Sequence, residues 1–405
     1  YVIVSEFKIM SRCNLLKNGI NINQYGYIDY CCEMPEDGSH RPMFSDYTSF
    51  HEYRQPLYEV SKTEWVTGCK GCKHAEETKG YSLRTISNLD AKNEWKVAED
   101  DYTIYNAILN LGNICNLACR MCGTGPSTKW QSYQKKGPAQ RKLKVKEATQ
   151  DYEFMDPGQH DALTDEQFED LKDNVLTPSL RHLVFGGGEP MQNDICMKTL
   201  KYLDENNMLK NIDLHIHTNG TQPMDGEWGD VIANVNSLEL VYSIDGTGSN
   251  YNYIRQDSDW DLVKNNLEQS ISRFQDNKNY EFNVAYCFQA LNAHKFIQDK
   301  EYFTNNFSHN FHYQHVHYPE YLSLKVVHPE LRKKYGIEDI CDAIPYNEQL
   351  ARKFIASQRW MDVTFKSTSL KEQNPDFFDA DLYPFAEEIY NGTLDWNQDP
   401  NLFSE

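Results

Sequence analysis

The sequence predicts an α/β protein. Its centre reads as a partial (β/α)6 barrel, preceded by a small, irregular Cys-rich module and followed by a helical extension. Three observations predict this. From about Tyr102 onward, apolar runs of strand length alternate with stretches of helix length, the pattern of a parallel sheet. Six strand candidates can be distinguished, too few for an eight-fold barrel. The chain has 405 residues, against about 150 for a typical domain, so one domain does not account for it.

The elements follow in order. Residues 1–100 are rich in Gly, Cys and Tyr, with brief alternations and frequent turn residues at 21–26 and 35–38. They read as a separate module. Residues 101–320 carry the strand candidates Ala107–Leu111, His182–Phe185, Asp213–His217, Leu238–Ile244, Phe282–Phe288 and Phe311–His317. Between them, Trp260–Gln275 is the clearest helix, because Val263, Leu267, Ile271 and Phe274 recur at helical spacing. Residues 321–405 turn helical after Pro319. From 370 they hold many Asn, Asp and Pro and read as a loosely ordered or partner-dependent tail.

Composition excludes several classes. With 40% hydrophobic and 13% aromatic residues, the chain can build a core and is not a disordered chain. No apolar run approaches the roughly 20 residues of a membrane span. No signal-peptide pattern opens the sequence, so a cytoplasmic setting is expected. The net charge of -20, from 60 acidic and 40 basic residues, disfavours nucleic acid and anionic membranes as partners. The one strongly basic run, 135–146 (KKGPAQRKLKVK), reads as a solvated helix or loop.

Eleven cysteines carry the chemistry. Their number is odd, and several lie two or three residues apart, too close for an ordinary disulfide framework. Metal-bound thiolates in a reducing compartment fit better. The sharpest motif is Cys115-Asn-Leu-Ala-Cys119-Arg-Met-Cys122, just after the first strand candidate of the central region. Three thiolates on one tight loop can hold three irons of a [4Fe–4S] cube and leave the fourth open to a ligand. A partial zinc site is the alternative, but structural zinc normally takes four protein ligands. A second motif, Gly186-Gly-Gly-Glu-Pro190, follows the next strand. There the glycines admit a close backbone approach and the carboxylate can take an ammonium group.

With both motifs in place, residues 102–320 resemble the core of a radical S-adenosylmethionine (SAM) enzyme. The resemblance implies that Cys115, Cys119 and Cys122 hold a [4Fe–4S] cluster whose open iron binds SAM. It implies that Gly187, Gly188 and Glu189 receive the methionine amino group. Ser243 and Asp245, at the end of the fourth strand, match the segment that contacts the ribose. Thr218 and Asn219 match another pocket-facing segment, and Arg255 the arginine near the SAM carboxylate. The residue before the third cysteine is usually aromatic and packs on adenine; here it is Met121, whose thioether can pack on a ring face. A low-potential electron donor such as flavodoxin or ferredoxin is implied as a partner.

Cys13, Cys31, Cys32, Cys69 and Cys72 remain in the first hundred residues. Spacing alone does not separate four-thiolate zinc from a four-thiolate iron–sulfur cluster. The spacing Cys13-x12-Gly26-x4-Cys31, with Cys69-x2-Cys72 later, resembles the auxiliary-cluster module called SPASM, or its shorter form, twitch. This implies a second cluster on Cys13, Cys31, Cys69 and Cys72, with Cys32 as the rival of Cys31. In most relatives the module follows the barrel; here it precedes it.

Lesser candidates have plainer readings. Cys196, Cys287 and Cys341 read as buried thiols. His215 and His217 share a strand face, as do His315 and His317, and Gln289 follows the fifth strand. The family resemblance implies a hydrogen-abstracting enzyme acting most often on a peptide or protein. A small sugar- or nucleotide-like substrate is the alternative. A non-catalytic metal-binding partner protein fits less well, because such a protein needs neither an open iron nor a SAM amine site.

Overall fold

The structure is a computed structural model. It describes residues 12–23, 27–29, 31, 47–93, 96–98, 101–136, 163–307 and 311–392. The basic run at 135–146 lies almost wholly outside the described residues. Ten strands are defined: β1 (Gly19–Ile22), β2 (Ile28–Asp29), β3 (Asn106–Leu109), β4 (Ala118–Cys119), β5 (His182–Phe185), β6 (Asp213–Thr218), β7 (Ser237–Ser243), β8 (Arg255–Gln256), β9 (Tyr280–Phe288) and β10 (Phe311–His315). All six strand candidates are present, with ends shifted by at most two residues. The fold is α/β, a mostly parallel sheet with flanking helices, and no closed barrel forms among the described residues.

The chain divides into two compact units. The first comprises residues 1–113, 160–217 and 225–239. Its strands run in the order β6-β5-β3-β1-β2. β1 pairs in parallel with β3 (Gly19 opposite Asn106), β3 with β5 (Asn106 opposite His182) and β5 with β6 (His182 opposite Asp213). Only β2 runs antiparallel, against β1. One face is apolar and fully buried: Ala107 and Leu109, Leu183 and Phe185, Leu214 and Ile216. Because side chains alternate across a strand, the opposite face carries Asn106, His182, His215 and His217. Between β5 and β6 the helix Asp194–Glu205 supplies the crossover, started by Asn193, whose side chain accepts from Ile195 N.

The N-terminal segment therefore contributes two strands to the sheet of this unit. The four residues Gly-Ile-Asn-Ile are all buried, so no polar–apolar alternation marks β1 in the sequence.

The second unit comprises residues 114–159, 218–224 and 240–405. Its main strands run β10-β9-β7, and β9 pairs in parallel with β10 (Val284 opposite Phe311). A small antiparallel ribbon joins β4 to β8, with Cys119 opposite Arg255. The helix Trp260–Phe274 buries Val263, Leu267 and Phe274, as its periodicity requires, and Asp259 caps it.

The tail expected from residue 370 is corrected over 370–392. Leu370, Phe377, Tyr383, Phe385 and Ile389 are buried, and Phe377 packs on Phe354 of the helix Glu348–Phe365 with ring centroids 4.7 Å apart. Asn374 and Pro375, among the residues that suggest a loose tail, instead start a helical turn. Ser369 and Glu372 form a capping box, and Asn374 caps the turn beginning at Pro375. Residues 393–405 lie outside the described residues. No helix among the described residues is long and apolar enough to cross a membrane.

Candidate functional site

The three-cysteine loop in the second unit is held from several directions. Cys119 lies in β4 and is buried; Cys115 and Cys122 are half-buried. Cys122 N donates to Cys119 O at 2.9 Å, closing the turn. The helix Thr128–Lys136 begins directly after the loop, and its first residues grip it. Ser127 Oγ donates to Leu117 O at 2.6 Å, Thr128 Oγ1 to Cys115 O at 3.2 Å, and Trp130 Nε1 to Cys119 O at 2.7 Å. Ser127 Oγ also caps that helix by accepting from Trp130 N at 3.2 Å. Sequence reading missed this clamp, although the run Ser127-Thr128-Lys129-Trp130 carries a cap signature.

Two side chains expected to face SAM present N–H groups to cysteine sulfurs. Asn219 Nδ2 lies 3.9 Å from Cys115 Sγ and also donates to Asn116 Oδ1 at 3.0 Å. Its Oδ1 accepts from Thr221 N and Thr221 Oγ1, which fixes the amide. Arg255 Nη1 lies 3.8 Å from Cys119 Sγ. Thr218 Oγ1 accepts from Gly220 N, so Thr218 and Asn219 form a compact turn. N–H groups directed at thiolate sulfurs stabilise their negative charge and tune a cluster's potential.

Arg255 is also paired. Its Nε stands 2.8 Å from Asp245 Oδ2, an ion pair without hydrogen-bond alignment. Asp245 is fully buried, and its Oδ1 accepts from Cys287 N at 2.7 Å. Burial raises the Asp245 pKa, with the Arg255 charge opposing. The Cys119 thiol is raised as well, first by its hydrogen bond with Cys122 and then by burial. Met121 is half-buried in the turn after Cys119, and Ser243 ends β7, also half-buried.

Gly187, Gly188 and Glu189 belong to the first unit, where Asn110 and Gly112 shape their loop. Gly187 has φ +100°, and a Cβ there would meet Gly112 O at 3.0 Å. At Gly186 a Cβ would fall 2.5 Å from Asn110 Oδ1. The positive φ and the backbone contact fix glycine at Gly187, whereas at Gly186 the Asn110 side chain can give way. Glu189 is 1% exposed, and its Oε1 accepts from Met191 N at 3.1 Å, capping the short turn Pro190–Gln192.

The N-terminal cysteines also lie in the first unit. Cys13 precedes the helix Asn14–Asn18, Cys69 starts the helix Lys70–Lys79, and Cys72 lies within it. The three are close enough for each ionised thiol to disfavour the next. Burial pushes Cys13 up to about 11 and Cys69 up to about 12. Arg84 opposes this, and it is fixed by an ion pair with Glu76 and by donating to Arg12 O at 2.9 Å. Cys31 is half-buried; Cys32 and Gly26 lie outside the described residues. Among the described residues no disulfide forms, and no three His, Cys, Asp or Glu side chains converge on a single metal-ion position.

The histidines separate. His215 Nε2 lies 2.9 Å from Glu239 Oε2, and its ring packs edge-on to His182 at 4.6 Å. His182 Nδ1 contacts Asn106 Nδ2 at 2.7 Å, and burial lowers its pKa to about 4. His315 is half-buried and His317 exposed, both in the second unit.

The family model of the radical SAM superfamily matches residues 109–279. Among solved structures, native anSMEcpe with bound AdoMet is similar at 18% identity, covering 65% of this chain and 66% of that one, with a TM-score of 0.39. The same protein with AdoMet and the Cp18Cys peptide aligns at 18% identity over 59% and 61%, with a TM-score of 0.37. Streptococcus suis SuiB bound to S-adenosylmethionine aligns at 12% identity over 81% and 70%, with a TM-score of 0.36. The chain thus spans less than two thirds of the anSMEcpe structures' own length. Comparison with curated proteins yields no match. On the family match, this chain carries a radical SAM superfamily domain over residues 109–279.

Proposed function

We propose that the chain is a radical SAM enzyme that abstracts hydrogen from a peptide or protein side chain. The observation that carries this reading is the three-cysteine loop. It offers three thiols on one clamped turn, with N–H groups of Asn219 and Arg255 at two of the sulfurs. That donor set fits a [4Fe–4S] cluster. Thiolates satisfy its irons, the N–H groups balance its charge, and three ligands leave one iron for SAM. When bound, the cluster supplies the electron that splits SAM into methionine and a 5′-deoxyadenosyl radical, which takes hydrogen from the substrate.

The chain's own residues bind and orient. Cys115, Cys119 and Cys122 are the cluster ligands. Gly187 holds a backbone path that no larger residue follows, Gly188 continues it, and Glu189 pairs with the methionine ammonium. Asp245 fixes Arg255 against Cys119, and Ser243 and Met121 line the nucleoside side. Cys13, Cys69 and Cys72, with Cys31, hold a second cluster. The burial of Cys13 and Cys72 supports this, since a group of ionised thiols needs a cationic centre to balance it. The acidic net charge and the twitch-like cysteine spacing favour a peptide over a nucleic acid. A low-potential flavodoxin or ferredoxin in the cytoplasm is the electron source that fits.

The test is anaerobic. The reconstituted chain is given SAM and dithionite, and 5′-deoxyadenosine is measured. The wild type forms it and Cys119→Ala does not; 5′-deoxyadenosine from the variant at the wild-type rate would overturn the assignment.

A further inference from the structure

Within the cysteine loop, Arg120 is the residue that neither the family match nor the proposed chemistry uses. It stands between Cys119 and Cys122, and its side chain is 0% exposed. Its guanidinium is fully engaged in the second unit. Nε donates to Tyr253 O at 2.7 Å, Nη1 to Gln358 Oε1 at 3.0 Å, and Nη2 to Asp362 Oδ1 at 2.6 Å and Ser367 Oγ at 2.9 Å. The group also lies 3.6 Å from the centroid of the Tyr253 ring.

Asp362 is held just as firmly. Its Oδ2 accepts from Leu370 N at 2.8 Å and from Tyr390 OH at 2.5 Å. Asp362 and Gln358 belong to the helix Glu348–Phe365, and Leu370 and Tyr390 to the segments after it. The same helix meets the loop's clamp from a second side. Trp360 stacks on Trp130 at 6.0 Å, and Phe365 packs edge-on to it at 5.0 Å.

We propose that the buried Arg120–Asp362 pair positions the cysteine loop and sets the reduction potential of the cluster it carries, making the C-terminal extension part of the redox centre. This rests on the reading of Cys115, Cys119 and Cys122 as cluster ligands.

The physical case has two parts. A buried ion pair is a poor stabilising device, because apolar residues of similar size often do as well or better. Simple packing therefore gives little reason to place one inside a ligand loop. Charge gives a better reason. A cluster gains an electron on reduction, so a nearby buried cation favours the reduced form and a nearby anion the oxidised form. Arg120 adjoins Cys119 in sequence and is locked by its five contacts. Asp362 offsets its charge from the far side of the guanidinium.

The two partners therefore act in opposite directions. Arg120→Gln removes the cation, and the potential falls. Asp362→Asn removes the anion with little change of shape, leaves Arg120 charged, and the potential rises. A purely structural role moves both variants the same way, through a looser loop and faster iron loss.

The experiment is an EPR-monitored redox titration of the anaerobically reconstituted chain, following the signal that changes when SAM is added. Opposite shifts in the two variants, with iron content retained in Asp362→Asn, support the proposal. Unchanged potentials, or shifts of the same sign, overturn it. If Arg120→Gln does not fold, the upward shift in Asp362→Asn decides alone. Failure of the underlying reading looks different: the wild type then shows no SAM-responsive signal, or Cys119→Ala keeps one.

Discussion

At the scale of single residues, each group proposed to bind SAM is fixed by its own surroundings. Gly187 is fixed by a φ of +100° and by Gly112 O at 3.0 Å from where its Cβ would sit. Asp245 is a buried carboxylate with an arginine and a backbone N–H as partners. Glu189 is buried at the start of a short helical turn, where its carboxylate is already oriented by Met191 N. An ammonium bound to such a carboxylate makes a charge-assisted contact worth about 1.5–3 kcal/mol. Glu189→Ala is therefore expected to weaken SAM binding by roughly 10- to 100-fold. Calorimetric titration of SAM into the reconstituted variant checks this, and an unchanged affinity refutes the amine role. The sequence motifs name candidate residues without giving their directions. Asn219 and Arg255 were read as facing SAM, yet each presents an N–H to a cysteine sulfur. A motif gives a residue's neighbourhood; its direction comes from partners distant in sequence, such as Asn116 and Asp245.

At the scale of elements, legibility followed burial pattern. Strands such as His182–Phe185 alternate between a buried and a half-buried face, and Trp260–Phe274 repeats its apolar residues at helical spacing. Both patterns are visible without a structure. β1 is buried throughout and only four residues long, so it has no period to read. The C-terminal segment misled for another reason. Its Asn, Asp and Pro residues are caps and turn starters, and its core contacts come from scattered aromatics rather than a regular stripe. This makes a prediction. Phe377 is 0% exposed and packs on Phe354 and Tyr383. Truncation of a buried Phe costs about 3–5 kcal/mol. Phe377→Ala should lower the unfolding midpoint in denaturant accordingly; a loss below about 1 kcal/mol would mean that the segment is a dispensable tail.

At the scale of the whole molecule, two sets of cysteines stand in two compact units. Cys115, Cys119 and Cys122 lie on a loop clamped by the helix that follows it and by the C-terminal extension. Cys13, Cys69 and Cys72 come together from two separate segments beside Arg84. We propose that each set carries its own [4Fe–4S] cluster and that only the first reacts with SAM. The most direct measurement is iron and acid-labile sulfide per chain, with zinc, in the reconstituted wild type and in a Cys69→Ala/Cys72→Ala double variant. Two cubes require about eight iron and eight sulfide in the wild type and about four of each in the double variant. That variant should still bind SAM. About four iron with one zinc in the wild type would instead make the N-terminal site structural, and loss of all iron from the double variant would contradict two independent centres.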